Sequence, residues 1–200
     1  MNKKIVTAAL AGALGFALVA GGVVPVMKHI PGQGRATSDS HVNLPVIESD
    51  IATLAGSDFI PFTELADLPI AMTAHVIVNA VDSDHAATVS KVMIRDIIRK
   101  RIGFDGLLVS DDVSMHALSG DYSIRAAAIY DAGCDLVLHC NGRTEEMREI
   151  GGAAPALGGK TRERATRALS ARKEPAPLDK ESAREEFLAL LSSVPWPAIS

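Results

Sequence analysis

The sequence predicts an α/β fold of parallel βα units, and the rhythm of its apolar segments is the first reason. Four short apolar runs, at residues 23–27, 67–75, 107–109 and 136–138, each end in polar residues and are separated by stretches of helical character. Strand, polar end and helix in that repeated order is what right-handed parallel crossovers produce, and it gathers polar groups at the C-terminal strand ends, where such proteins place their chemistry. Composition agrees. With 48% hydrophobic residues, 16 Gly and 10 Pro, the 200-residue chain is neither disordered nor of low complexity. It is long enough for one core but short of the roughly 250 residues of an eight-stranded α/β barrel. Twenty Lys and Arg against 24 Asp and Glu give a net charge of −4. That balance leaves no broad basic face, which argues against nucleic acid as a partner and favours small or neutral ones.

At the start, Lys3 and Lys4 precede residues 5–27, which carry no charge. Two readings of this segment stand side by side. One is a secretory signal or membrane anchor; the other is an Ala-rich helix over 6–19, a Gly21-Gly22 stop and a buried strand over 23–27. A polar, Gly-rich connection over 31–45 follows, long enough to be functional. Helical segments are expected over 48–54, with Ser49 and Asp50 as caps, and over 59–65. Thr88-Val-Ser90 opens an amphipathic helix over 91–101 whose Val92, Ile94, Ile97 and Ile98 share a face. Gly103-Phe-Asp-Gly106 stops it. The third strand then runs into Ser110-Asp111-Asp112, a helix over 123–131 stops at Gly133, and the fourth strand ends at His139-Cys140-Asn141. Residues 160–191 read as charged surface helices broken at Pro175-Ala-Pro177, with Trp196 as a docking side chain. The expected division is a partial barrel over 1–155 and a helical tail over 156–200 packed on it. Cys134 and Cys140 flank a strand about 20 Å long, beyond the reach of a disulfide, so both are expected to be reduced.

The groups that carry chemistry lie at the strand ends: Lys28 and His29, then Asp39-Ser40-His41 in the long loop, then Thr73 and His75, then Ser110-Asp111-Asp112. A carboxylate at a strand end, a histidine beside a second carboxylate, and a Lys-His pair supply a nucleophile, a proton shuttle and hydrogen bonds to a substrate. Each alone has a structural alternative, as a surface dipeptide, an Asx turn or a helix cap. Their shared position at one end of four strands is what favours a site.

Lys28-His-Ile-Pro-Gly-Gln-Gly-Arg-Ala-Thr-Ser-Asp39-Ser-His41 resembles the signature loop of the β-N-acetylhexosaminidases of glycoside hydrolase family 3, cytoplasmic enzymes of bacterial peptidoglycan recycling. Met72-Thr-Ala-His75, the segment from Gly103 to Asp112, and the segment from Ala132 to Leu138 continue the resemblance in the same order. The resemblance implies a TIM-barrel-like fold of which this chain holds the last four strands, a half-barrel with C-terminal helices. It implies that Asp111 is the nucleophile of a retaining hydrolysis, that His41 is the acid/base and that Asp39 orients and charges it. It further implies that Lys28 and His29 bind sugar hydroxyls, with Thr73 and His75 beside them. Asp112 then reads as the N-cap of the following helix. The substrate implied is a muropeptide bearing N-acetylglucosamine, with no cofactor and no metal. Residues 5–27 become the helix and strand before the Lys-His pair, and the location becomes cytoplasmic; secretion or anchoring through that segment is the alternative. The sequence departs from the family in two respects: Gln33 stands where the family usually has His, and the four preceding βα units are missing.

Two other readings remain open. A half-barrel exposes two strand edges, so the chain could be catalytically impaired unless it pairs with a second copy or another partner, forming a homo-oligomer through those edges. A metal-dependent hydrolase using His29, Asp39, His41 and His75 is the third, although the ligand spacing is not compact.

Overall fold

The computed structural model describes residues 15–36, 38, 43–174 and 177–193. Its centre is a four-stranded sheet in the order β1 (Val26–Ile30), β3 (Ile70–Thr73), β5 (Leu107–Asp112) and β6 (Leu136–Leu138), every pair parallel. Val26 lies opposite Ile70, Ile70 opposite Leu107, and Val109 opposite Leu136. Parallel neighbours need crossovers. They are supplied by α1 (Ile51–Ala55) and α2 (Ile60–Glu64), then α3 (Met93–Arg101), then α4 (Tyr122–Ala132). After β6 come α5 (Thr144–Ala153), α6 (Gly159–Ser170) and α7 (Lys180–Ser193). A second, two-stranded parallel sheet joins β2 (Val46–Ile47) to β4 (Ile77–Val78).

Local chemistry explains the boundaries. Asp50 caps α1, its carboxylate accepting from the Thr53 amide at 2.9 Å. Ser90 caps the next long helix, with its Oγ 3.1 Å from the Met93 amide nitrogen. That helix, α3, is wound as a π-helix and ends with the Ile102 amide donating to Ile97 O, five residues back. It buries Met93, Ile94, Ile97 and Ile98 against the sheet, whereas Val92, expected on the same face, is exposed. Gly133 ends α4 in the left-handed region at φ 109°, where a side chain would be strained. Alternate strand residues Met27, Ala71 and Leu108 point into the helical layer, which Phe104, Ile98 and Ile129 fill.

Two expectations need correction, and three elements were not foreseen. The first strand is Val26–Ile30 rather than 23–27, so Lys28 and His29 lie within it. Pairing starts at Val26 opposite Ile70, just after Pro25 and Pro69, neither of which has an N–H for the ladder. Residues 15–20 are helical and end in a turn at Gly21-Gly22, whose Gly22 carbonyl accepts from the Lys173 amide at 3.2 Å. The helix α5 was not foreseen: its only buried residue is Ile150, and Gly151-Gly152 weaken its propensity. The two-residue strands β2 and β4 are too short to leave a period. Finally, Asp112 caps no helix; the chain after it turns for several residues before α4 begins.

The tail helix α6 is fastened beneath the sheet. The Asp135 carboxylate, 3% exposed, accepts from Arg99 Nη2 (2.8 Å), the Leu108 amide (2.9 Å), Thr161 Oγ1 (3.0 Å) and Arg164 Nη1 (3.1 Å). Arg164 also reaches Asp105 at 2.7 Å. Between α6 and the N-terminal strand ends lies an apolar hollow of about 600 Å³, lined by Val24, Ile70, Leu107, Leu136 and Leu169 among others. The α7 residues Phe187, Leu188 and Leu190 are exposed. Among the described residues, no helix is long and apolar enough to cross a membrane. Both cysteines are free, Cys134 buried and Cys140 exposed.

Candidate active site

The C-terminal ends of β1, β3, β5 and β6 bring Lys28, His29, Thr73, Asp111, Asp112 and Cys140 to one end of the sheet. The ladder of β1 with β3 shifts register between Lys28 and Ile30, and the Lys28–His29 and Ile30–Pro31 peptides are cis. His29 Nε2 lies 3.7 Å from Asp111 Oδ2, with the two side chains 24% and 13% exposed. The other ring nitrogen, Nδ1, is 3.3 Å from Gln33 Nε2. With the amide in this orientation its nitrogen donates and Nδ1 accepts, so a neutral His29 carries its proton on Nε2, facing Asp111. Gln33 Oε1 is buried with no hydrogen-bond partner among the described residues. Gly32 turns the chain at φ 118°, its amide donating to His29 O at 2.8 Å. The start of the loop is then pinned by Arg35, whose Nε contacts both oxygens of Asp58 at 3.0 and 2.8 Å.

The two aspartates of β5 are used differently. Asp111 Oδ1 accepts from the Asp112 amide at 2.9 Å, leaving Oδ2 directed toward His29. Asp112 turns its carboxylate inward to the loops: Oδ1 accepts from the Ser114 and Cys140 amides at 3.0 and 3.2 Å, and Oδ2 from Ser114 Oγ at 2.6 Å. Desolvation, followed by the Asp112 and Asp111 charges, pushes the Cys140 thiol above its ordinary pKa, while Lys28 pulls it down. Those influences place Lys28, Cys140 and both carboxylates in one electrostatic neighbourhood.

Thr73 and His75 do not line the site as expected. Both are 0% exposed, and both ring nitrogens of His75 are bonded, Nδ1 to Thr88 Oγ1 at 2.9 Å and Nε2 to Asp112 O at 3.0 Å. Thr73 at the end of β3 and His75 two residues beyond it turn beneath the site rather than into it. Burial holds the His75 pKa below its ordinary value, against the opposing pull of the Asp112 carbonyl and the Asp111 and Asp112 charges. A metal site built on His75 therefore lacks a free ring nitrogen. The predicted pair Asp39 and His41 lies outside the described residues.

One cluster escaped the sequence reading. His139, just past β6, bonds Glu146 of α5 at 2.8 Å, and Asn141 and Arg143 converge on the same carboxylate. These contacts, the His139 bond foremost, draw the Glu146 pKa down to about 2. The Asn141-to-Glu146 spacing is the only signal, and without α5 it could not be read.

Parallel strands whose C-terminal ends carry a carboxylate facing a histidine define an α/β protein with a polar site in the position such folds use for chemistry. Residues 2–170 match the glycosyl hydrolase family 3 N terminal domain, and the chain belongs to that family. It is similar to a beta-hexosaminidase of Chromobacterium violaceum, 43% identical over 151 residues that make up 74% of this chain and 42% of the relative. A beta-hexosaminidase of Methylobacillus flagellatus is 42% identical over 136 residues, 66% of this chain and 39% of the relative. Among solved structures, NagZ from Neisseria gonorrhoeae in complex with N-trifluoroacetyl-D-glucosamine superposes with a TM-score of 0.78 at 30% identity, over 94% of this chain and 56% of that one. The chain spans about two fifths of the length of the curated relatives it matches. The fold is accordingly a TIM-barrel-like α/β arrangement of parallel strands.

Proposed function

We propose that the chain carries the chemical half of a retaining β-N-acetylglucosaminidase that removes terminal N-acetylglucosamine from peptidoglycan-derived muropeptides in the cytoplasm, with no cofactor. The observation that carries this reading is the Asp111 carboxylate, with one oxygen held by a backbone amide and the other, 13% exposed as a side chain, turned to the open strand ends. Asp111 Oδ2 attacks the anomeric carbon as the glycosidic C–O bond breaks, and the leaving oxygen takes a proton from the His41 imidazolium, which Asp39 supports. Water then attacks the glycosyl-enzyme, losing its proton to His41, and the Asp111–carbon bond breaks with net retention. Lys28 and His29 hold sugar hydroxyls. The relatives named beta-hexosaminidase, and the amino-sugar derivative bound to the gonococcal structure, support this substrate class.

The open sheet supports a second element of the reading, association through the strand edges. The outer edges of β1 and β6 have no strand partner among the described residues, and Val26 on the inner face is 41% exposed. A second copy adding its four strands would complete eight, the number of a closed α/β barrel.

Turnover of an aryl N-acetylglucosaminide by the full chain tests the activity. Asp111→Ala should abolish it, by 10³-fold or more on the order of what a lost nucleophile costs, and azide should restore part of the rate as a glycosyl azide. Near-parental turnover by that variant removes the nucleophile assignment. Size-exclusion chromatography of the same preparation shows whether active material elutes as two chains or one.

A further inference from the structure

Buried side chains close a ring around the Asp111-Asp112 dipeptide. The Asp111 amide donates to Thr73 Oγ1 at 3.3 Å, and Thr73 Oγ1 lies 2.8 Å from Thr88 Oγ1. Thr88 Oγ1 lies 2.9 Å from His75 Nδ1, and His75 Nε2 lies 3.0 Å from the Asp112 carbonyl oxygen. Thr73, His75 and Thr88 are all 0% exposed.

The donors follow from elementary chemistry. A carbonyl cannot donate, so His75 Nε2 carries a proton and gives it to Asp112 O. Burial favours the neutral ring, which leaves Nδ1 as an acceptor and the Thr88 hydroxyl as its donor. Thr88 Oγ1 in turn accepts from Thr73, and Thr73 Oγ1 accepts from the Asp111 amide. The Ala74 carbonyl, 2.9 Å from Thr88 Oγ1, is a second acceptor for the one Thr88 proton. The ring takes over where the sheet stops: the pairing of β3 with β5 ends at Met72 opposite Val109, so the Asp111 amide has a side chain in place of a strand partner. The dipeptide is thus gripped at the amide that enters it and at the carbonyl that leaves it.

We infer that Thr73, Thr88 and His75 are positioning residues that fix the backbone of Asp111, and with it the direction of the nucleophilic carboxylate. The inference rests on the glycosidase reading of Asp111 for its catalytic consequence, though not for its structural one. Misplacement of a reacting group by about 1 Å can cost about 10²-fold, so loosening the ring reaches kcat without touching the sugar.

The test compares Thr73→Val, Thr88→Val, His75→Ala and His75→Gln in the full chain. Hydrogen exchange of the Asp111 amide, followed by NMR with the Leu108 amide as internal control, needs no turnover. In Thr73→Val the Asp111 amide should exchange about tenfold faster or more, with Leu108 unchanged. Kinetics on the aryl N-acetylglucosaminide should show kcat reduced about tenfold to a hundredfold at unchanged KM. His75→Gln, whose amide can donate to Asp112 O and accept from Thr88, should recover most of what His75→Ala loses. If His75→Ala does not fold, the near-isosteric Thr73→Val and Thr88→Val carry the test. Parental Asp111 exchange and kcat in folded Thr73→Val and Thr88→Val overturn the inference. Parental turnover in Asp111→Asn would instead remove the glycosidase reading, with the exchange data still deciding the ring.

Discussion

Asp135→Ala should lower the stability of the chain by about 3 kcal/mol. The substitution leaves Arg99 and Arg164, whose side chains are 15% and 13% exposed, without their shared buried anion, and it leaves the Leu108 amide without its acceptor. Stranding one member of a buried ion pair costs about 3–5 kcal/mol, and an orphaned buried amide about 1–3 kcal/mol. Two features hold the total at the low end. Arg99 keeps the Phe104 and Gly106 carbonyls at 3.0 and 2.8 Å, and Arg164 keeps Asp105 at 2.7 Å. Asp135→Asn retains an oxygen for Leu108 and should lose about half as much, roughly 1.5 kcal/mol, for the weaker neutral bonds. Urea unfolding followed by circular dichroism measures both. At a slope of about 2 kcal/mol per molar, the Ala variant's midpoint should fall by about 1.5 M. A fall under about 0.5 M at unchanged slope would mean that the anion is not what fastens α6 and α3 to the sheet.

Acid should destabilise the chain through His75. Its folded pKa lies below the ordinary value of about 6.5, so the unfolded chain takes up a proton that the folded chain refuses. Stability is therefore full above about pH 6.5 and is lost as the pH falls below it, by up to about 1.4 kcal/mol per unit from this group. Asp111, Asp112 and His29 face the same ring and modulate the slope; a pH–stability curve for His75→Gln identical to the parent's would exclude His75 as its source. Thiol titration with an aromatic disulfide at pH 8 should find one reactive cysteine in the native chain, Cys140, and two in denaturant. Burial pushes the Cys134 thiol up to about 12, leaving almost no thiolate to react; two equally fast native thiols would contradict this.

Much of this arrangement is legible in the residues themselves. Asp111 at the end of an apolar run, and the Gly133 stop before Leu136, follow from period and turn chemistry, which are local. The paired use of Asp111 and Asp112 follows from strand alternation once β5 is known to continue through both. The burial of Thr73 and His75 was not legible, because two polar residues at a strand end look the same whether they face solvent or a neighbour 13 to 15 residues away, as Thr88 proves to be. The same holds for Asp135, which reads as a polar residue opening a strand and becomes the meeting point of contacts from two helices and a strand only when α3 and α6 are folded beneath β5. The start of β1 at Val26 was legible in part, since Pro25 immediately before it has no N–H for the ladder, whereas its neighbour Pro69 precedes a different strand.

The amide of Gln33 has a consequence for how the site behaves as acidity changes. While His29 is neutral, Gln33 Nε2 donates to its Nδ1, and Gln33 Oε1 is buried without a partner among the described residues. When His29 takes a proton, Nδ1 becomes a donor, and a half-turn of the amide would present that idle oxygen to it. One uncharged side chain can thus serve both protonation states of its neighbour at the same distance, with no proton of its own to gain.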